Sequence, residues 1–231
     1  MPILHHYPLS AGSRYVRLVL GEFGETPTLV EEQPWERSEA LLAMNPAGTV
    51  PVLVDDDETV VSGATVIAEY LGETRGVRLG ELTPLMPTTP AERAETRRLV
   101  DWFLTKMEEE VTGYLVREKV HKRRMSVDRG GGPPDAAAIR AARTNIRHHL
   151  HYIGYLTQRR NCLAGRDITL ADLAAAGALS TIDYLGEVPW EDDAGARAWY
   201  ARVKSRPSFR PILADQVRGM PAATHYADLD F

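Results

Sequence analysis

Apolar positions in the first eighty residues change period several times, and the changes mark out a small α/β unit. Ile3 to Tyr7 is a short β-prone run ending at Pro8, and the turn-rich Ser10-Ala11-Gly12-Ser13 follows it. Val16, Val19, Leu20 and Phe23 then repeat at i, i+3, i+4 and i+7, with Gly24 where such a helix stops. Thr28 to Glu32 predicts a second strand. Val50 to Val54, the acidic turn Asp55 to Glu58 and Thr59 to Val61 predict a hairpin, and Ala64 to Leu71 a closing helix. The order βαβ then ββα is a thioredoxin-like arrangement.

Gly72 to Thr88 carries Gly72, Gly76, Gly80, Pro84 and Pro87 without a sustained period, so it reads as a connector. Beyond it the pattern is helical. Thr89-Pro90-Ala91-Glu92 combines an N-cap, a proline in the first turn and a glutamate three residues after the cap, and it opens a helix bearing Leu99, Trp102, Phe103 and Val111. A second helix starts near Asp135, with Ile139, Ile146, Leu150 and Ile153 inward. A third starts at Thr169, with Asp172 completing a capping box, Ile168 as a staple and a small-residue run at 174–178 suited to close packing. The predicted fold class is an α/β thioredoxin-like N-terminal domain (1–80), a linker (81–88), an all-α domain (89–220) and a tail (221–231).

Charge supports a boundary near residue 80. The 231 residues carry a net charge of −5, yet residues 1–80 hold 5 basic and 12 acidic side chains while residues 81–231 hold 22 and 20. An acidic molecule has no global electrostatic reason to bind nucleic acid or anionic lipid, and there is no eighteen-residue apolar run to insert in a membrane. A lone cysteine, Cys162, cannot form an internal disulfide, and without a visible leader the cytoplasm is the expected compartment. Its apolar neighbour Leu163 points to a core position rather than a nucleophile.

Other chemistry is thin. His148, His149 and His151 cannot all converge from one helix, so no metal site is expected. Gly130 to Gly132 lead into Pro133-Pro134, which supply no N–H donors, so this is not a phosphate-binding loop.

The N-terminal turn and helix, Val50-Pro51, the Tyr70-Leu71 helix, the proline-rich connector and the Thr169–Asp172 cap together resemble the cytosolic glutathione S-transferase fold over nearly the whole chain. Several second-half motifs are similar to the bacterial subgroup of that fold that localises to FtsZ in cell division. They are Arg159-Arg160-Asn161, Asp183 to Gly186, Val188-Pro189-Trp190, Lys204 to Pro211 and His225 to Phe231. The resemblance implies a cis Val50–Pro51 bond whose valine backbone pairs with glutathione, and in the subgroup a dimeric, non-enzymatic adaptor that binds FtsZ filaments at the division site without a cofactor.

A glutathione transferase needs a donor near the cysteinyl sulfur, and Ser10, Ser13 and Tyr7 are the local candidates; the two serines also suit a helix cap and a turn. By the resemblance, a Glu-Ser pair before the closing helix grips the γ-glutamyl carboxylate. Gly63 and Ala64 stand at those positions, with Ser62 one residue upstream. Losing charge-assisted bonds worth about 1.5–3 kcal/mol each weakens glutathione about 10- to 100-fold per bond. The expectation is a vestigial glutathione site at Ser10, Val50, Pro51, Ser62, Gly63 and Ala64, with a glutathione-dependent transferase or isomerase using Ser10 as the alternative.

Partner contacts are expected in three places: the basic segment with Glu118 inside it, Trp35, and the tail. Residues 117–129 concentrate Arg117, Lys119, Lys122, Arg123, Arg124 and Arg129 against Glu118 and Asp128, and Arg140 extends the patch, a composition that steers an acidic partner. Trp35, in the acidic loop 31–37, is either an interface anchor or a lid over its own core. After Pro221 the chain should fray, yet Tyr226, Leu229 and Phe231 alternate with Asp228 and Asp230, a composition able to dock in a groove or to pack on its own domain.

Overall fold

A computed structural model of the protein describes residues 1–76 and 85–229. Strand β1 (Ile3–His6), helix α1 (Ala11–Glu22), strand β2 (Thr28–Glu31), helix α2 (Glu39–Met44), strands β3 (Val52–Val54) and β4 (Val60–Ser62) and helix α3 (Ala64–Arg75) follow in that order. The sheet order is β2-β1-β3-β4, with β1 parallel to β2 and antiparallel to β3, and β3 antiparallel to β4. Leu4 and Leu53 face each other across β1 and β3, and both are wholly buried, which fixes the register. The βαβ–ββα order therefore stands as the sequence pattern predicts.

Two details differ from the sequence reading. Helix α2 is six residues long with only Leu41 buried, so it has no apolar stripe to detect; Ser38 caps it, accepting from the Leu41 N–H at 3.2 Å. Helix α3 runs past Leu71 to Arg75 because long-range charge overrides Gly72. The Arg75 guanidinium pairs with Asp55 of the β3–β4 turn and with Glu25, and it holds the Asp55 carboxyl far below the usual carboxylate range. The expected boundary at residue 80 and residues 81–84 of the linker lie outside the described residues.

The helical half opens on α4 (Pro90–Asp101), where Thr89 accepts from Glu92 N–H and its hydroxyl donates to the Glu92 carboxylate at 2.6 Å. The helix continues without a break through π turns at Trp102–Lys106 and Glu108–Thr112, α5 (Gly113–Val116), a π turn at Arg117–His121 and α6 (Lys122–Arg124). Helices α7 (Ala136–Arg159), α8 (Leu170–Tyr184), α9 (Ala194–Lys204) and α10 (Arg210–Leu213) complete the bundle. All fifteen residues of α8 are buried, so it is the central post. Helix α1 packs against it, which is why α1 buries both its sheet-facing stripe and Ser13, Arg14 and Arg17.

One buried acid in the π-helical stretch makes stability depend on pH. The Glu108 carboxyl oxygen Oε2 is buried without a partner, and burial pushes its pKa up from 4.5 to about 7. The folded state then holds a proton that the unfolded chain has released, so this contribution is fully present below pH 4.5 and is lost as pH rises to about 7. Glu108→Gln is expected to remove it. In paired urea melts the variant should gain on the order of 2–3 kcal/mol relative to wild type between pH 4.5 and 8; an unchanged difference would refute the assignment.

Candidate functional site

The turn between β1 and α1 is built from two serines with local duties. Ser10 caps α1, its hydroxyl oxygen accepting from Ser13 N–H at 3.2 Å, and the buried Ser13 hydroxyl accepts from Tyr7 N–H at 3.2 Å. Ser13 is therefore inside the turn, while Ser10 is half-buried at its mouth. Tyr7 points away into the other domain, wholly buried, and desolvation raises its phenol to about 12. Its hydroxyl lies 3.5 Å from the Arg124 guanidinium.

The Val50–Pro51 peptide is cis, and the Pro51 carbonyl accepts from Gly63 N–H at 3.2 Å. A methyl group placed on Gly12 would lie 3.2 Å from Ala64 Cβ and 3.4 Å from Pro51 Cδ, so the α1, β3 and α3 starts meet at this point. Ser10, Pro51 and Ala64 thus come together as the sequence reading expects. Gly63, at φ 93°, caps α3 with no side-chain acceptor, and Ser62 and Ala64 on either side of it are half-buried. Neither Gly63 nor Ala64 has a side chain to hold a carboxylate. What remains is backbone N–H at a helix start.

Beside this turn the chain's own side chains form a second apolar cluster. Tyr7, Leu9, Val116, Val120, Val217 and Tyr226 form one buried cluster, with Trp35 and Met220 packed on it. Trp35 is a lid in this sense: its ring stands edge-on to Tyr7 at 5.4 Å and against His121 at 4.7 Å. Burial and the Arg124 and Arg117 cations lower the His121 pKa to about 4, so that ring is neutral.

The basic segment is less free than its composition suggests. Lys119 and Arg143 pair with buried Glu187, Lys122 with Glu118, and Arg129 with Glu36 at 2.6 Å. Arg124 donates to the Arg218 carbonyl at 2.6 Å and reaches Tyr7 at 3.5 Å. Arg117, Arg123 and Arg140 are exposed and have no ion-pair partner among the described residues. Two expected contact residues move inside. Glu118 is 4% exposed because its carboxylate accepts from Asp135 N–H ahead of α7, and Tyr226 is 1% exposed because its hydroxyl accepts from Arg14 at 2.7 Å and donates to the Ile212 carbonyl.

The tail is seated rather than frayed up to residue 229. Lys204 donates to the Asp228 carbonyl at 2.6 Å, and His225 meets Asp183 at 3.0 Å. The Asp228 and Leu229 side chains are exposed, while Asp230 and Phe231 lie outside the described residues. Sequence reasoning missed the buried polar set around Arg14, Asp183 and Lys204. The available signal was Arg14 and Arg17 set within α1 beside Tyr15, Val16 and Leu18, which implies that the helix is covered on both sides.

The glutathione S-transferase N-terminal domain model matches residues 9–74. FtsZ-localized protein A of Caulobacter vibrioides is 46% identical over 231 residues, covering 99% of this chain and 97% of that protein. The chain belongs to the glutathione S-transferase fold family. Among solved structures, a glutathione S-transferase from Sinorhizobium meliloti 1021 aligns over all of both chains at 52% identity and a TM-score of 0.96. FzlA from C. crescentus aligns over 100% of this chain and 99% of its own at 45% identity and a TM-score of 0.92. Glutathione S-transferase 2 of Saccharomyces cerevisiae is more distant, 28% identical over 74% of this chain.

Proposed function

We propose that the protein is a non-enzymatic adaptor that binds FtsZ filaments in bacterial cell division and constriction. The observation that carries this reading is the 46% identity to FtsZ-localized protein A over 99% of the chain. Two features of the site support it. The carboxylate-gripping side chains are absent at Gly63 and Ala64, and the side chains next to the turn are packed in a buried apolar cluster. The adaptor is homodimeric and cytoplasmic, and it gathers at the division site. Two copies make each weak contact effectively intramolecular once the first has formed, so filaments can be bridged without high single-site affinity.

The exposed, unpaired Arg117, Arg123 and Arg140 supply the field that draws an acidic filament. The Arg123→Glu/Arg140→Glu double variant is expected to lower affinity for polymerised FtsZ about tenfold in a co-sedimentation titration, with the thermal melt unchanged because neither side chain has an internal partner. Equal pelleting of the double variant would reject this surface. A wild-type chain that stays in the supernatant would reject the reading itself.

Similarity to glutathione S-transferases, together with a half-buried Ser10 at the turn, favours a second reading as a glutathione-dependent transferase or isomerase. It requires turnover that disappears in Ser10→Ala.

A further inference from the structure

The loop at 125–132 presents a hydroxyl that the fold does not bury. Helix α6 stops at Arg124, and the backbone is extended at Met125 (φ −77°, ψ 145°) and Ser126 (φ −68°, ψ 157°). The Ser126 carbonyl accepts from Arg129 N–H at 3.0 Å and from Gly131 N–H at 2.9 Å, and the Lys122 carbonyl accepts from Gly132 N–H at 3.0 Å. The backbone of the loop is thereby pinned while the side chains of Ser126 and Val127 stay exposed, Val127 at 84%.

The residues ahead of Ser126 define what would recognise it. Lys122-Arg123-Arg124-Met125-Ser126-Val127 places guanidiniums three and two residues before the hydroxyl, and no other serine or threonine of the chain has arginine at both of those positions. Arg123 is exposed and has no ion-pair partner among the described residues. An extended backbone with an open hydroxyl and guanidiniums on its N-terminal side suits an enzyme whose substrate groove carries carboxylates, because guanidinium–carboxylate pairs are strong and directional. Other serines are already occupied. Ser205 follows Arg202 by three residues, but its hydroxyl donates to the Ala201 carbonyl at 2.8 Å, and the hydroxyls of Ser10, Ser13 and Ser38 each accept a backbone N–H.

We propose that Ser126 is a phosphorylation site for a serine kinase that reads basic substrates, and that its modification weakens docking of the acidic filament, a consequence that rests on the adaptor reading above. In the transfer, Ser126 Oγ bonds to the γ-phosphorus of ATP, the bond from that phosphorus to the β–γ bridging oxygen breaks, ADP leaves, and the hydroxyl proton passes to a base on the kinase. The phosphoserine brings a charge of about −1.5 to −2 into a segment, 117–129, that holds six basic and two acidic side chains. It cancels roughly half of the segment's excess positive charge, three residues from the outward Arg123.

The probe is the catalytic subunit of cyclic-AMP-dependent protein kinase, a kinase directed to basic substrates, supplied with ATP. The folded wild-type chain is expected to take up a single phosphate by intact mass and Ser126→Ala none, while Arg123→Gln slows uptake about tenfold. After desalting, the phosphorylated protein should bind polymerised FtsZ about tenfold more weakly by co-sedimentation than a sample treated without ATP, with an unchanged thermal melt. Kinase-treated Ser126→Ala should pellet like the wild type. No uptake by the folded chain, uptake that persists in Ser126→Ala, or equal pelleting of the phosphorylated and untreated samples overturns the proposal. Untreated wild-type protein that never pellets rejects the adaptor reading and the docking effect with it, while the mass measurement still decides the site.

Discussion

Asp172→Ala is expected to remove most of the stability of the fold. The Asp172 carboxylate is wholly buried and accepts four hydrogen bonds: from Leu163 N–H at 2.9 Å, Thr169 N–H at 3.0 Å, the Thr169 hydroxyl at 3.1 Å and the Trp199 indole N–H at 2.9 Å. It ties the start of α8 to the preceding loop and to α9. Each buried donor left without an acceptor costs about 1–3 kcal/mol. The sum is on the order of 4 kcal/mol or more, against a typical total of about 5–15. Urea denaturation followed by tryptophan fluorescence should show the midpoint collapse, with Asp172→Asn intermediate because its amide keeps one acceptor oxygen. A loss below about 1 kcal/mol would mean that the cap is not the anchor of the helical domain.

Gly177→Ala is the second large effect, and it acts between the domains. A Cβ at this position of α8 would sit 2.9 Å from Tyr15 N, 3.1 Å from Tyr15 Cα and 3.3 Å from the Ala11 carbonyl oxygen. All three are backbone atoms of α1, so no rotamer change can relieve the contact. Forced overpacking of this kind costs about 3 kcal/mol, which for a chain of this size lowers the melting temperature by about 10 °C. Scanning calorimetry measures it directly, and Gly177→Val should be worse. A melt within about 2 °C of wild type would show that α1 can slide on α8 without penalty.

The same two residues show how much could be read in advance. The capping box at Thr169 and Asp172 stands in the sequence because it is local, a hydroxyl and a carboxylate three residues apart ahead of an apolar run. The bond from Trp199 is not legible, since nothing near residue 172 reports a partner on α9. Likewise 174–178 announces close packing but not that α1 is the neighbour. The order of strands and helices along the first half was readable because strand, turn and helix signals are short-range. The extension of α3 to Arg75 was not, because it depends on ion pairs to Asp55 and Glu25 from distant turns.

For the site, the dipeptide Val50-Pro51 and the missing carboxylate grip at 63 and 64 were visible as residue types. The partner surface was only half visible. Composition counts every cation between 117 and 129, whereas the fold pairs Lys119, Lys122 and Arg129 with carboxylates and commits Arg124 to a carbonyl, leaving Arg117, Arg123 and Arg140 outward. The tail pattern left Tyr226 either docking in a groove or packing on its own domain, and the buried Arg14 guanidinium decides for the second by drawing its hydroxyl inward. Salt bridges and buried cations are decided by three-dimensional neighbours, and a linear pattern carries little trace of them.

The proposed loss of the thiol-cofactor role in favour of work through the outer face is tested most directly by co-sedimentation of the purified protein with polymerised FtsZ in millimolar glutathione. The account predicts that the protein pellets with the polymer and that the tripeptide leaves the pelleted fraction unchanged. Failure to pellet, or release of the protein by glutathione, would contradict it.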